Sequence, residues 1–146
     1  MGTVYAEITL KNAADYSYYE RGLIKEQDLR SAAVTALVDT GAMSLVITED
    51  LRKKLGLAVR SERIVHIANG QRVLSKVTEP VEINWKNRCS TVQAVIIPGS
   101  DIVLLGSIPL EDMDLIVNPV TKELVGAHGD RVETLALYCP PQKTVA

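Results

Sequence analysis

Residues 36–42 read Ala36-Leu37-Val38-Asp39-Thr40-Gly41-Ala42, and the rest of the 146-residue chain is organised around this stretch. An apolar segment runs directly into an aspartate, a small hydroxyl residue and a glycine. A carboxylate at the end of a buried strand is costly to desolvate unless hydrogen-bond donors hold it. Thr40 supplies a hydroxyl group, and Gly41 supplies backbone that turns tightly. The stretch therefore predicts a site that presents one carboxylate, that of Asp39.

One carboxylate per chain is half of a known acid–base device. Two aspartates in contact cannot both ionise, so they share a proton; one activates a water while the other donates to the carbonyl under attack. The sequence Asp-Thr-Gly occurs once in the chain. Chemistry of this kind would require a two-fold dimer, because a symmetry axis places the same residue opposite itself.

Three segments resemble those of the retropepsin-like aspartic proteases, in particular the small stand-alone bacterial members. Residues 37–42 look like the family's catalytic loop, Ala68-Asn69-Gly70 is similar to its flap-like turn, and Val103-Leu104-Leu105-Gly106 is similar to the segment that packs beneath the loop. They occur in this order within a region from residue 4 to about residue 125. The resemblance implies a retropepsin-like closed or partly closed β-barrel that forms a two-fold dimer.

The resemblance also implies an activity and a role for each matching residue. The activity is that of an aspartic endopeptidase: a homodimer that cleaves peptide or protein substrates and requires no metal or cofactor. The implied roles are catalysis by Asp39, support of the catalytic loop by Thr40, Gly41 and Ala42, substrate binding by the flap residues Ala68, Asn69 and Gly70, and packing of the site by Leu104, Leu105 and Gly106.

Composition limits the other classes of function. Hydrophobic residues make up 47% of the chain and charged residues 23%, which indicates one globular domain over residues 1–146. A net charge of −2 offers no basic footprint for nucleic acid and no polybasic patch for a membrane surface. The N-terminus lacks the pattern of a secretory signal, and Cys89 and Cys139 lack metal-ligand spacing. We expect two reduced thiols and a cytoplasmic protein.

The hydrophobic pattern predicts a mainly β protein with one or two short helices. One helix is expected within 48–57, with Thr48 as its N-cap and Gly56 as its stop, and a second near 107–113. The segment 12–31 is predicted to be a solvated loop with a short helix near 25–30, and every aspartate except Asp39 is assigned to the surface, a cap or a turn. The expected strands are 4–11, 33–38, 44–47, 64–67, 72–77, 81–85, 90–97, 102–106, 114–117, 123–125 and 132–138, followed by a frayed tail at 139–146.

Two alternative functions remain open from the sequence. One is a catalytically inactive module that keeps the same fold and captures extended peptide segments by β-augmentation. The other is a structural β-domain whose groove has no function. The variant Asp39→Asn distinguishes a binding module from a protease. A binder keeps its peptide affinity in this variant, whereas a protease loses turnover while it still binds the peptide.

Overall fold

A computed structural model describes residues 2–142 of the chain. Its helices and strands follow one another in short segments, most of them joined by tight turns. The strands are β1 (Tyr5–Asn12), β2 (Ser31–Val38), β3 (Leu45–Val46), β4 (Val59–His66), β5 (Arg72–Trp85), β6 (Arg88–Ile96), β7 (Leu104–Leu105), β8 (Leu115–Asn118) and β9 (Glu123–Gly126). The helices are α1 (Ala13–Glu20), α2 (Glu49–Leu55) and α3 (Ser107–Asp112), with a 3₁₀ turn at Glu26–Asp28.

Six of the strands close into a barrel. They are hydrogen-bonded in the order β1-β2-β7-β3-β6-β5, and β5 pairs back onto β1. Strand β4 extends the sheet beyond β5, outside this ring, whereas β8 and β9 form a separate two-stranded sheet. The predicted mainly β fold with a closed barrel is therefore confirmed.

Two parallel pairings shape the part of the barrel that follows β2. Strand β7 runs parallel to β2, with Leu37 opposite Leu104 and Val38 opposite Leu105, and it lies between β2 and β3. Strand β3 pairs in parallel with β6. These pairings bring the end of β2 beside residues that are distant in the sequence.

The barrel encloses an aliphatic core. The alternation predicted for the first strand is confirmed, since Val4, Ala6, Ile8 and Leu10 are all buried. Each large aliphatic side chain that is fully buried contributes about 1.5–3 kcal/mol relative to an exposed one. Helix α2 also has its predicted ends: the Thr48 hydroxyl accepts the Leu51 N–H at 3.2 Å, and Gly56 adopts a left-handed φ of 64°.

The prediction of a loop at 12–31 is wrong for its first half, which forms α1. The Asn12 side chain caps this helix by accepting the N–H of Asp15 at 3.2 Å. Asp15, which was assigned to the surface, a cap or a turn, lies in the first turn of α1, where it is buried and paired with Arg30. The helix expected near 25–30 is only the 3₁₀ turn, so the three α-helices of the described chain are α1 and the two predicted within 48–57 and near 107–113.

Two predicted strands were also misjudged. Residues 132–138 form no strand; Leu135 and Leu137 are exposed, and the Glu133 N–H donates to the Asp114 carboxylate instead of to a neighbouring strand. The strand predicted at 102–106 shortens to β7, and Ile102 is exposed. The predicted tail at 139–146 is described as far as residue 142, where it has no regular structure, and its remainder lies outside the described residues.

Candidate active site

Asp39 follows β2 directly, and the backbone around it fixes its position. Its N–H donates to the carbonyl of Leu105 at 3.0 Å, which continues the pairing of β2 with β7. Its Oδ1 accepts the N–H of Gly41 at 2.9 Å, and its carbonyl accepts the N–H of Ala42 at 3.1 Å. A tight turn therefore orients the carboxylate, which is only partly buried and remains accessible to a ligand.

The loop after Asp39 rests on the start of α3. A Cβ atom at Gly106 would lie 2.6 Å from the carbonyl oxygen of Ala42 and still closer to that of Ser44. The N–H of Ser107 donates to Ala42 O at 2.8 Å, and that of Ile108 donates to Met43 O at 2.9 Å. The absence of a side chain at Gly106 thus allows the loop and α3 to hydrogen-bond directly.

An open cleft of about 750 Å³, which we call the Asp39 cleft, lies beside this loop. Asp39 and Thr40 line it, together with a second carboxylate, that of Glu111 in α3. The remaining lining is mostly apolar and comes from the N-terminal residues 2–4, the end of β2, α3 and β8, with contributions from Val4, Leu37, Leu110, Leu115, Ile116 and Val117. No local sequence signal predicts this lining, because it comes from segments that only the tertiary fold brings together.

The predicted flap turn lies elsewhere. The Gly70 N–H donates to Ile67 O at 2.9 Å, and Asn69 Oδ1 accepts the N–H of Gln71 at 2.9 Å. Of these turn residues, Gly70 takes a positive φ of 85°. The turn connects β4 and β5, as the Asn-Gly pair predicts, but none of Ala68, Asn69 and Gly70 lines the Asp39 cleft.

A cluster of charged side chains, which we call the Asp114 clasp (Arg88, Asp114, His128 and Glu133), lies where α3 leads into β8. Asp114 Oδ2 is 2.7 Å from His128 Nδ1, and it accepts the N–H of Glu133 at 3.1 Å. This hydrogen bond with His128 lowers the pKa of Asp114 and raises the pKa of His128. The clasp fastens the segment after β9 beside the Asp39 cleft.

Arg88 completes the clasp from the barrel side. It lies outside the strand predicted at 90–97, but it belongs to β6 and is buried. Its guanidinium group donates to the carbonyl oxygens of Met113 at 2.8 Å, Asp114 at 2.6 Å and Gly129. Strand β6, the end of α3 and the loop after β9 therefore share one buried cation.

Two other features, a metal site and a membrane-spanning helix, are absent from residues 2–142. No group of three or more His, Cys, Asp or Glu side chains in this range is placed to bind a metal ion. No helix in the same range has the length and apolar composition needed to cross a membrane.

Comparisons with known proteins identify a family. A family model described as aspartyl protease matches residues 27–108, a range that includes the Asp39 loop, the turn at 68–70 and the segment at 103–106. No curated protein is significantly similar to the chain in sequence.

Two solved structures have a distant likeness to the fold. The EIAV protease complexed with the inhibitor HBY-793 is 18% identical over 72% of this chain and 82% of its own, with a TM-score of 0.48. A retropepsin-like aspartic protease from Rickettsia conorii is 18% identical over 81% of this chain and 88% of its own, with a TM-score of 0.41.

Proposed function

Since the chain belongs to the aspartyl protease family, we propose that it is an aspartic endopeptidase that acts as a homodimer, in which Asp39 of each subunit forms the catalytic pair. The family match spans more than half of the chain and confirms the resemblance drawn from residues 37–42, 68–70 and 103–106. The dimer and the individual residue roles are the proposed part.

One observation carries this proposal: the Asp39 carboxylate, held by the Gly41 N–H, lies at the edge of an open apolar cleft. In the dimer, one Asp39 carboxyl is ionised and the other is protonated. The ionised carboxylate takes a proton from a water, whose oxygen attacks the scissile carbonyl carbon, while the protonated partner polarises the carbonyl oxygen. The intermediate collapses with transfer of a proton to the leaving nitrogen, so the products are a carboxylic acid and an amine.

The surroundings of Asp39 support a second copy as the cover of the cleft. The wall of the Asp39 cleft includes β8, whose Ile116 side chain is 51% exposed. Strand β8 reads Leu-Ile-Val-Asn and carries no charged residue that would protect a free sheet edge. A two-fold axis at this cleft would bury the exposed apolar surface and bring the two Asp39 side chains together.

The other predicted site residues have supporting roles in this proposal. The Thr40 hydroxyl braces the loop towards the partner subunit, and Ala42 with the aliphatic side chains of Leu104 and Leu105 keeps water from the catalytic pair. The turn at 68–70 closes over an extended substrate, and this closure moves it from its position outside the cleft. The reaction uses no metal or cofactor, and we propose that it takes place in the cytoplasm.

The test is cleavage of a mixed peptide library by the wild type and by Asp39→Asn. Wild-type cleavage should follow a bell-shaped pH profile on the acid side of neutral, because the pair needs one ionised and one protonated carboxyl. It should rise more steeply than linearly with enzyme concentration, as expected for an active dimer. In Asp39→Asn, turnover should fall by about 10³-fold or more while peptide binding persists.

The matched control is Asp101→Asn, which removes an exposed carboxylate outside the Asp39 cleft and should leave cleavage unchanged. Cleavage that survives in Asp39→Asn would exclude the proposed mechanism. Peptide binding by a wild type that cleaves at no pH would instead identify a binding module.

A further inference from the structure

The hairpin formed by residues 59–77 projects from the barrel. Within the described chain, β4 pairs only with β5. The first residues of β5, from Arg72 to Ser75, pair only with β4, whereas the pairing of β5 with β6 begins at Lys76. The far part of this projecting hairpin is therefore a two-stranded arm, and the turn at 68–70 forms its tip.

The projecting hairpin has the opposite charge to the rest of the molecule. It holds four of the chain's 16 Lys and Arg residues but only one of its 18 Asp and Glu residues, which gives it a net charge of +3 with His66 neutral, against −2 for the whole chain. The five charged residues, all of them exposed, are Arg60, Glu62, Arg63, Arg72 and Lys76.

The cations of the hairpin form no close ion pairs in the described chain. Over residues 2–142, none of the four takes part in a salt bridge. Glu62 lies opposite Lys76 in the strand register, which leaves Arg60, Arg63 and Arg72 as the uncompensated charges.

The two faces of the hairpin both carry positive charge. Residues directly opposite each other in an antiparallel pair share a face, and successive residues alternate between faces. Arg72 shares a face with His66, whereas Arg63 lies opposite Ser75 on the other face. The hairpin therefore attracts an anionic segment whichever of its faces meets that segment.

We propose that the enzyme selects extended substrates in which acidic residues flank an apolar scissile bond. This inference rests on the proposed function, in which the hairpin covers the substrate. The Asp39 cleft is apolar and already contains the carboxylates of Asp39 and Glu111, so acidic side chains are disfavoured next to the reacting bond. Acidic residues further along the peptide meet the cationic hairpin, which increases the rate of encounter and fixes the register of the peptide.

The experiment uses two peptides with one cleavable apolar core, chosen from the library, and with either glutamates or lysines on both sides. For the wild type at low salt, kcat/KM for the glutamate-flanked peptide should be about tenfold or more above that for the lysine-flanked peptide. The ratio should fall towards one near 0.5 M salt, where screening extends over only about 4 Å.

Charge reversal identifies the residues responsible. The double variant Arg63→Glu/Arg72→Glu should lose or invert the preference while still cleaving an uncharged version of the peptide. The matched control Lys25→Glu/Arg131→Glu makes the same change in net charge at exposed positions outside the hairpin and should keep the preference.

The outcomes separate this inference from the proposed function. If the uncharged peptide is cleaved in an Asp39-dependent manner but both charged peptides are cleaved equally well, the charge preference is refuted and the protease proposal stands. If the hairpin variant and the control variant lose the preference for the glutamate-flanked peptide equally, the preference comes from the net charge of the protein. That result would also refute a role for the hairpin. If none of the peptides is cleaved, the proposed function itself fails.

Discussion

At the scale of single residues, two glycines have different tasks in the Asp39 loop. Gly41 orients the carboxylate through its N–H, and a Cβ at this position would meet only Asp39 Oδ1, at 3.2 Å. Gly106 allows α3 to approach the loop, and a Cβ there would collide with backbone atoms. Backbone cannot move aside as a flexible side chain can, so the same added methyl group has different consequences at the two sites.

We predict that Gly106→Ala lowers the free energy of unfolding by about 1–3 kcal/mol, the usual cost of overpacking. Gly41→Ala should cost less stability but should lower kcat, because the carboxylate of Asp39 must shift. Urea unfolding and peptide cleavage, measured on both variants, separate the two effects. A Gly106→Ala protein as stable as the wild type would contradict the close packing of loop and helix.

We predict that the Asp114 clasp responds to pH through His128. The hydrogen bond with Asp114 raises the pKa of His128 in the folded state. The His128 ring therefore stabilises the folded protein in full at pH values below its unfolded pKa of about 6.5. This contribution disappears as the pH rises through the raised pKa. His128→Gln should therefore lower Tm at mildly acidic pH and converge with the wild type at alkaline pH.

The control for this prediction is His66→Gln, which removes the other histidine, an exposed residue of β4. This variant leaves the contacts of the Asp114 clasp in place, so the fall in Tm at mildly acidic pH should be specific to His128→Gln. An NMR titration of His128 in the Asp114→Asn protein gives an independent check, since the pKa of the ring should fall towards its ordinary value. No change in that pKa would show that Asp114 is not its partner.

At the scale of elements, α1 illustrates a helix fixed by polar contacts. The Asp15 carboxylate accepts two hydrogen bonds from the Arg30 side chain, both at 2.8 Å, and one from the Arg30 backbone N–H at 3.1 Å. The Asn12 side chain donates to the carbonyl of Leu55 at 2.8 Å. Polar side chains thus join α1 to the entry of β2 and to the end of α2.

We predict that Asp15→Asn destabilises the protein by about 1–3 kcal/mol at neutral pH, because a largely buried charged hydrogen bond is lost. The Arg30 side chain lowers the pKa of Asp15 in the folded state. The ionised Asp15 therefore stabilises the wild type at pH values above its unfolded-state pKa, and this stabilisation is lost as the pH falls through the lowered pKa. The variant should therefore lose less stability than the wild type on acidification.

The control is Asp28→Asn. In the wild type, the exposed Asp28 carboxylate accepts the Lys25 N–H at 3.2 Å. Its effect on the free energy of unfolding should stay within about 0.5 kcal/mol. Urea unfolding at several pH values distinguishes the two variants. Equal effects of the two substitutions would show that the Asp15–Arg30 pair contributes no more to the free energy of unfolding than an exposed carboxylate does.

The elements that the sequence predicts well are those whose signals are local. The alternation of β1, the Thr48 and Gly56 ends of α2 and the Asn-Gly hairpin all depend on residues a few positions apart. Helix α1 was missed because its tyrosines and charges give no apolar stripe; its stability comes from Arg30 and Leu55, which are distant in sequence. The strand predicted at 132–138 failed for the opposite reason: its residue types are those of a strand, but within residues 2–142 it pairs with no other strand.

At the scale of the whole molecule, the candidate site also consists of parts with a local sequence signal and parts without one. The Asp39 loop and the segment at 103–106 can be recognised from their residue types, and the structure places them in contact through β2 and β7. The wall that α3, β8 and residues 2–4 add to the cleft has no local signal. The position of Glu111 in this cleft has no local signal either, because the tertiary fold decides which carboxylates lie in the same cleft.

We predict that Ile116→Glu weakens the proposed dimer and lowers the proposed proteolytic activity, because it places a charge in the proposed apolar interface. Sedimentation should show a shift towards monomer, and activity should recover in part at higher protein concentration. Leu23→Glu makes the same kind of change at an exposed position outside the cleft and should alter neither property. A fully active Ile116→Glu dimer would place the subunit interface elsewhere.

The support of the Asp39 loop by Leu105 and Ser107 has a consequence for the order of events during synthesis. The loop is complete only when the N–H of Asp39 reaches Leu105 O and the N–H of Ser107 reaches Ala42 O. A growing chain therefore passes through more than sixty residues after Asp39 before these contacts can form, which takes several seconds at about 5–20 residues per second. A nascent chain carries Asp39 without the contacts that position it, so in the proposed mechanism peptide cleavage cannot begin before the barrel has formed.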